Sequence, residues 1–328
     1  MKIGINGFGR IGRVFVRALL ENKNLYNDIE LAVINTPGTI DTSLHLLKYD
    51  SVYRRFEKKI EKTDEHSAYI DNHRVIFLHN KEKFDWSEYD VDLVVECSGR
   101  YRNLESLKNH FGETPVVVSA PADGIKNIIY GVNDSMISKD DQFISAGSCT
   151  TNCIAPILNI LHNNYYIING FVTTVHAYTS DQNLVDNSHK DLYRARAATN
   201  SMIPTSTGAT KAIGKIIPSL DNKILGASIR VPVIDVSMVD ITCNLKNIDN
   251  KDNIINLLKN SQSEVFSVTD ESLVSCDFIK SPYSIIIDLK NIFIIDNMLR
   301  IAGWYDNEWA FTLRMLDIIK KVNKISFN

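Results

Sequence analysis

No uninterrupted apolar run approaches the roughly 18–20 residues that a membrane-crossing helix needs, so nothing points to a membrane partner. Residues 1–7 lack the long apolar stretch and small-residue cleavage site of a signal peptide, and a cytoplasmic location is expected. Basic residues are not in surplus. Thirty-six Lys and Arg stand against 39 Asp and Glu, a formal charge of -3, so sequence-independent binding to nucleic acid is not expected. Cysteine is scarce and odd in number: Cys97, Cys149, Cys153, Cys243 and Cys276 show no Cys-x-x-Cys pair. A disulfide framework and a zinc knuckle are both poor readings, and no metal is expected; what remains is whether one thiol is reactive. Low-complexity tracts, repeats and charge blocks are missing too. With 44% apolar and 23% charged residues over 328 positions, the chain reads as folded and large enough for two domains.

The chain opens with a short β run, Lys2-Ile3-Gly4-Ile5-Asn6, which passes directly into Gly7-Phe8-Gly9-Arg10-Ile11-Gly12. Beyond the glycines, Val14, Phe15, Ala18 and Leu19 recur at helical spacing. A G-x-G-x-x-G between a strand and a helix is the signature of a turn that brings backbone N–H groups up to a dinucleotide pyrophosphate, so Gly7, Gly9 and Gly12 are candidate cofactor residues. Further apolar runs at 30–35, 91–96 and 115–119 alternate with helical segments, as a parallel sheet requires. After about Cys149 the texture changes to long β-rich runs at 167–176, 224–245 and 284–295, for which an antiparallel sheet is expected. The fold class expected is α/β plus α+β: a Rossmann half followed by a second domain on a mixed, mainly antiparallel sheet. The polar segment 247–265 reads as a solvated helix, and 309–322 as an amphipathic one with Leu313, Leu316 and Ile319 on one face.

Three features could carry chemistry. In Ser145-Ala146-Gly147-Ser148-Cys149-Thr150-Thr151-Asn152-Cys153, Ser148 is a suitable N-cap, which places Cys149 in the first turn of a helix. There the free N–H groups favour a thiolate, and with a base nearby the thiol pKa is expected to fall. Cys153, one turn later, reads as a small core thiol, and Pro156 is expected to kink the helix. In Thr174-Val175-His176-Ala177-Tyr178-Thr179 a histidine ends a β run, and Cys149/His176 pairing becomes testable. Last come the anion-binding groups Arg194, Arg196, Thr207-Gly208 and Arg230. An arginine in an apolar β run needs a partner, either a structural carboxylate or a bound phosphate.

Taken together with His45-Leu46-Leu47-Lys48-Tyr49-Asp50-Ser51 and Trp304-Tyr305-Asp306-Asn307-Glu308-Trp309, these motifs make the chain resemble the phosphorylating glyceraldehyde-3-phosphate dehydrogenases over essentially its whole length. The resemblance implies a cytoplasmic homotetramer of glycolysis and gluconeogenesis that acts on glyceraldehyde 3-phosphate and inorganic phosphate. Each subunit would have a dinucleotide-binding domain over 1–148, with a last helix, 310–328, packed back on it, and a catalytic domain over 149–309. It implies Cys149 as nucleophile and His176 as its base. Thr179, Arg194 and Arg230 match the site for the substrate's phosphate; Ser148, Thr150, Thr207 and Gly208 match the site for the attacking phosphate. Arg10 and Ile11 match the pyrophosphate loop, Ser119 a ribose contact and Asn307 the group that holds the nicotinamide carboxamide.

The departures bear on the cofactor. The family's usual Asn-Asp pair after the second strand reads Asn35-Thr36 here, which removes the carboxylate that would repel a 2′-phosphate. Before His189 stands Asn187-Ser188 in place of Leu-Pro, and relatives that accept NADP resemble this chain in having Ser at the position of Ser188. Use of NAD or NADP, leaning to NADP, is therefore expected. Ala146-Gly147 replaces Asn-Ala and Phe311 replaces Tyr. The nearest alternative is an erythrose-4-phosphate dehydrogenase, against which Arg194-Ala195-Arg196-Ala197-Ala198 and Thr207-Gly208 argue. A dinucleotide-binding module without catalysis is the alternative from another class.

Overall fold

The computed structural model describes residues 1–80 and 82–326, so the last two residues of the expected 310–328 helix lie outside the described ones. The chain divides into two compact units. One comprises Met1–Tyr130, Asp134–Ser148 and Thr312–Asn328; the other comprises Gly131–Asn133 and Cys149–Phe311.

The first unit is built on a nine-stranded sheet. Its centre is Lys2–Asn6, flanked in parallel by Glu30–Asn35 on one side and Leu93–Glu96 on the other. These short strands are apolar because both faces of the sheet are covered, and Ile3, Ile5, Val33, Ile34, Val94 and Val95 are fully buried. Outward from Leu93–Glu96 lie Val116–Val118, Phe143–Ser145 and Lys126–Asn127; outward from Glu30–Asn35 lies His73–Leu78, then the antiparallel Ser67–Ile70 and Ile60–Lys62. Because the chain leaves Lys2–Asn6 to one side and later returns on the other, the carboxyl ends of these central strands form a switch point. That is where open α/β sheets keep their crevices. The C-terminal helix, Trp309–Ser326, belongs to this unit from Thr312 onward. Within the unit Tyr26 Oη donates to Asp317 Oδ1 at 2.8 Å, and Lys321 pairs with Asp134.

The second unit has a seven-stranded mixed sheet in the order Ile203–Ser206, Ile224–Val231, Ile167–Ala177, Ser237–Leu245, Met298–Tyr305, Ile285–Ile295, Phe266–Thr269. The 224–245 run is not one antiparallel strand. It breaks between Val231 and Ser237, where Val236 takes φ +68°, and its first part, Ile224–Val231, pairs parallel to Ile167–Ala177 while its second part pairs antiparallel to the same strand. That register sets His176 directly beside Arg230. The helix Cys149–Tyr165 runs on through Pro156 and packs on strands of this sheet, and its Cys153, Ile154, Ile157 and Leu158 are all 0% exposed. Polar segment 247–265 holds the shorter helix Lys251–Asn260, capped by the Asn250 side chain.

Candidate active site

In the first unit a cleft of about 290 Å³ opens at the ends of the central strands, lined among others by Asn6, Gly7, Gly9, Asn35 and Thr36. Glycine is needed in this turn. Gly7 has φ +97°, and a Cβ there would lie 2.5 Å from Ser98 N; a Cβ on Gly12 would lie 2.4 Å from Gly7 O. The helix that follows, Arg10–Glu21, starts at Gly9 with no capping side chain and no acid in its first turn. A helix start without a capping side chain or a first-turn acid is the kind that receives a pyrophosphate. Half-buried Ile11 lies in that first turn. Arg10, expected at the same loop, is ion-paired with Asp50 and lies over the Tyr53 ring, 5.5 Å from its centroid. Thr36 N–H donates to Leu78 O at 2.9 Å, and Asn35 Nδ2 donates to Asn6 Oδ1 at 2.9 Å. Ser119 N–H donates to Glu96 O at 2.9 Å.

In the second unit the helix Cys149–Tyr165 presents Cys149 as its first residue, and the sulfur lies 3.4 Å from His176 Nε2. On the other side of the ring His176 Nδ1 is 2.7 Å from Ala177 O and 3.0 Å from Arg230 Nη1. Nδ1 cannot donate to the carbonyl and accept from the guanidinium at once, so the short contact to Ala177 O fixes the tautomer with the proton on Nδ1. Nε2 is then the acceptor for the thiol. Arg230 Nη1 also donates to Ala177 O at 3.0 Å and reaches Thr179 Oγ1 at 3.5 Å. Its Nε is buried with no hydrogen-bond partner among the described residues.

Charge in this site is a contest between burial and neighbours. Burial pushes the Cys149 thiol up, against the pull of the Arg230 charge, the Thr150 hydroxyl and the N–H groups of the helix start. Desolvation thus outweighs the helix terminus, which was expected to dominate. Burial, followed by the Arg230 charge, pushes His176 down to about 3. Taken singly, each group is held neutral. Transfer of the thiol proton to Nε2 would place opposite charges on adjacent atoms, where their attraction opposes the desolvation of both. Cys153 has 0% exposure and its thiol is pushed far up by burial, which leaves it inert.

The remaining positions separate into those joined to this cluster and those that are not. Thr150 is buried beside Cys149, but its hydroxyl is 3.0 Å from Tyr305 Oη, which also lies 3.0 Å from Thr174 Oγ1. Asn307 Oδ1 accepts from Ser237 Oγ at 2.8 Å, and Ser237 Oγ accepts from Ala177 N–H at 3.1 Å, so Asn307 is braced against the backbone that carries His176. Arg194 contributes positive charge at His176 but is paired with Asp181 and, at 3.6 Å, with Asp191. Arg196 pairs with Asp186 at 3.0 Å, the structural alternative. Thr207 and Gly208 precede the helix Ala209–Ile216, where Thr207 Oγ1 accepts from Ala209 N–H at 3.2 Å; no hydrogen bond among the described residues joins them to Cys149 or His176. Ser188 is exposed, and its N–H donates to Asn187 Oδ1 at 2.8 Å. Ser148 is half-buried, immediately ahead of the nucleophile helix. Sequence reasoning missed Tyr305, Ser237 and Glu96. For Glu96 a signal existed: an acid closing an apolar strand needs donors as surely as an arginine in one needs acceptors.

Among the described residues no group of three or more His, Cys, Asp and Glu side chains is gathered to hold a metal ion, and no helix is long and apolar enough to cross a membrane. A switch-point cleft with a glycine turn, together with a unit that pairs a thiol with an imidazole, defines a nucleotide-dependent oxidoreductase that works through a cysteine. Comparison with known families makes this specific. Residues 1–104 match "Glyceraldehyde 3-phosphate dehydrogenase, NAD binding domain" and residues 148–307 match "Glyceraldehyde 3-phosphate dehydrogenase, C-terminal domain". The chain is 41% identical to the glyceraldehyde-3-phosphate dehydrogenase of Cereibacter sphaeroides, with 97% of each chain covered. It is 40% identical to that of Xanthobacter flavus, with 99% of each covered, and 38% identical to glyceraldehyde-3-phosphate dehydrogenase 2 of Bacillus subtilis (strain 168), with 98% of this chain and 96% of the relative covered. The chain belongs to the glyceraldehyde-3-phosphate dehydrogenase family, and its amino-terminal half carries the family's NAD-binding domain.

Proposed function

We propose that the chain oxidises glyceraldehyde 3-phosphate to 1,3-bisphosphoglycerate through a thioester on Cys149. The observation that carries this reading is the 3.4 Å approach of Cys149 Sγ to His176 Nε2, with the half-buried Arg230 guanidinium on the far side of the ring. His176 takes the thiol proton on Nε2, and the sulfur adds to the aldehyde carbon to form a hemithioacetal. His176, having lost that proton to solvent or to the adduct oxygen, then accepts the hydroxyl proton as the carbon is oxidised to the thioester. When bound, the nicotinamide cofactor supplies the hydride acceptor. Phosphate attacks the thioester carbonyl, the C–S bond breaks, and the thiolate leaves. Arg230, with its unpartnered Nε and with Thr179 beside it, is the group for the substrate's phosphate, Arg194 adding positive charge. Ser148, Thr150, Thr207 and Gly208 serve the attacking phosphate, and Asn307 the carboxamide.

The domain reading assigns cofactor binding to 1–148 with 310–328 and catalysis to 149–309. Gly7, Gly9, Arg10, Ile11, Gly12, Asn35, Thr36, Ser119 and Ser188 serve the cofactor, and Thr36 in place of an acid supports use of NADP as well as NAD. The same reading makes the protein a cytoplasmic homotetramer. Leu184, Val185, Leu192, Tyr193 and Met202, exposed by 61–83% within residues 181–202, support burial of that segment against other copies.

Initial rates with glyceraldehyde 3-phosphate, with each cofactor and with and without inorganic phosphate, test the function. Phosphate-dependent cofactor reduction is the expected result. Equal rates without phosphate, or a better rate with erythrose 4-phosphate, overturn the assignment. A preference for NAD above roughly a hundredfold, about 2.7 kcal/mol, overturns the leaning to NADP. Light scattering on a sizing column reads the oligomer.

A further inference from the structure

Glu96 ends the strand Leu93–Glu96 with 1% exposure, and its carboxylate accepts four hydrogen bonds. Asn6 Nδ2 donates to Oε2 at 2.6 Å, while Ser98 N–H, Ser98 Oγ and Gly99 N–H donate to Oε1 at 2.7, 2.5 and 3.1 Å. The chain of donors continues inward from the neighbouring strands. Asn6 Oδ1 accepts from Asn35 Nδ2 at 2.9 Å, and Asn35 Oδ1 accepts from Asn80 N–H at 3.0 Å. Every donor along this relay points toward the one carboxylate. Asn6, Asn35, Asn80 and Ser98 also line the cleft, so the relay ties together the ends of three adjacent strands and the loop after a fourth at the crevice.

We propose that Glu96 is a positioning residue for the dinucleotide: its two acceptor oxygens orient the Asn6 and Asn35 side-chain amides and the Ser98-Gly99 backbone, and so hold the cleft in its binding shape. The proposal rests on the reading of this cleft as the cofactor site. Only a carboxylate can serve here. A glutamine would present Nε2 either to Asn6 Nδ2 or to the Ser98 and Gly99 N–H groups, donor against donor. Rotating the Asn6 amide to offer its oxygen would take that oxygen from Asn35. The relay therefore breaks at one link while side-chain size is kept.

Burial also raises the affinity of Glu96 for a proton, with the hydrogen bonds opposing. The titratable groups that feel its charge are Cys97 and Tyr101, both pushed up; His110 stacks 4.1 Å from the Tyr101 ring and is pushed down by burial. Cys97 and Tyr101 keep their protons throughout the range from pH 7 to 5. His110 is present in wild type and variant alike, so Glu96 is the group whose removal is read.

The test is a titration of Glu96→Gln with NAD and with NADP, followed by fluorescence from pH 7 to pH 5. Expected is a rise in Kd of roughly tenfold to hundredfold at pH 7, with kcat at saturating cofactor within about threefold of wild type. Wild-type affinity should fall on acidification as Glu96 protonates, and the variant should lack that component. The rate of Cys149 alkylation without cofactor should be unchanged, since that thiol belongs to the other unit. Wild-type Kd values in Glu96→Gln, a wild-type pH dependence, or a lower melting temperature with unchanged Kd overturn the proposal. If Glu96→Gln does not fold, Ser98→Ala removes one donor to Oε1 and should raise Kd about threefold; an unchanged Kd there overturns it too. Should the wild type bind neither NAD nor NADP, the cofactor reading itself fails; binding by the wild type with equal binding by the variant sinks only the role of Glu96.

Discussion

In the first unit a buried carboxylate, Glu96, has its oxygens met by four N–H and O–H donors; in the second a half-buried guanidinium beside the nucleophile, Arg230, keeps a buried Nε with no hydrogen-bond partner among the described residues. A fully satisfied buried ion rigidifies what surrounds it, whereas a partly satisfied one keeps capacity for a ligand of opposite charge. The contrast with Arg194, already held by Asp181 and Asp191, sharpens the point. Of these two arginines, Arg230 is the one with a buried donor still to be met. On the proposed function, the first unit is thus held in one shape around Glu96, while Arg230 keeps a donor for the substrate's anion.

If that division is right, changes at Cys149 and His176 should alter chemistry and leave cofactor affinity alone. Cys149→Ser should have the largest effect, a loss of roughly 10⁴-fold or more in turnover with cofactor Kd unchanged, measured by stopped-flow reduction and by titration. A weakened Kd of similar size would break the comparison. His176→Asn should cost roughly 10²–10⁴-fold in kcat and slow alkylation of Cys149 at neutral pH, because the proton acceptor is gone. It should also change stability against pH. The folded-state pKa of His176 is depressed to about 3, so the unfolded chain takes up the proton first on acidification. The stability held by neutral His176 is present above the unfolded value near 6.5 and is lost as pH falls toward 3, by up to about 1.4 kcal/mol per pH unit. Denaturant midpoints of His176→Asn should therefore fall less steeply than wild type over that window.

Much of this site was legible because it is written in local patterns. A glycine turn between strand and helix, a cysteine at a helix start and a histidine at a strand end are each decided within a few residues, and the structure sets them in those contexts. Strand partners are another matter. Whether Ile224–Val231 runs parallel or antiparallel to Ile167–Ala177 depends on a chain reversal around Val236, which hydrophobic alternation does not report. Tyr305 was hidden for a similar reason, since its value lies in two threonines, Thr150 and Thr174, distant in sequence. The departures from the family's usual residues are explained in part. Gly147 takes φ +69°, a conformation that glycine adopts without strain, and Phe311 is buried at 4% exposure, where a phenol would need a partner.

In the first unit the expected effects fall on binding, and they are smaller. Gly12→Ala places a Cβ 2.4 Å from Gly7 O, a backbone atom that can yield only by moving the whole turn. Weaker binding of both cofactors by about 1–3 kcal/mol is expected, with Cys149 alkylation unaffected, as read by titration and labelling. The mildest change tests selectivity. Thr36 lines the cleft next to Asn35, its backbone held between Leu78 O and the His79 ring, so its side chain can be exchanged without altering the strand pairing. An aspartate there would accept from the ribose 2′-hydroxyl of NAD and repel a 2′-phosphate, two effects of the same sign on the ratio of the cofactors. Thr36→Asp should therefore raise the NAD to NADP ratio of kcat/KM by roughly tenfold, mostly through weaker NADP binding, while kcat with NAD stays near wild type. An unchanged ratio would mean that discrimination lies outside this strand end, and the cofactor unit would then not be the self-sufficient frame that its hydrogen bonding describes.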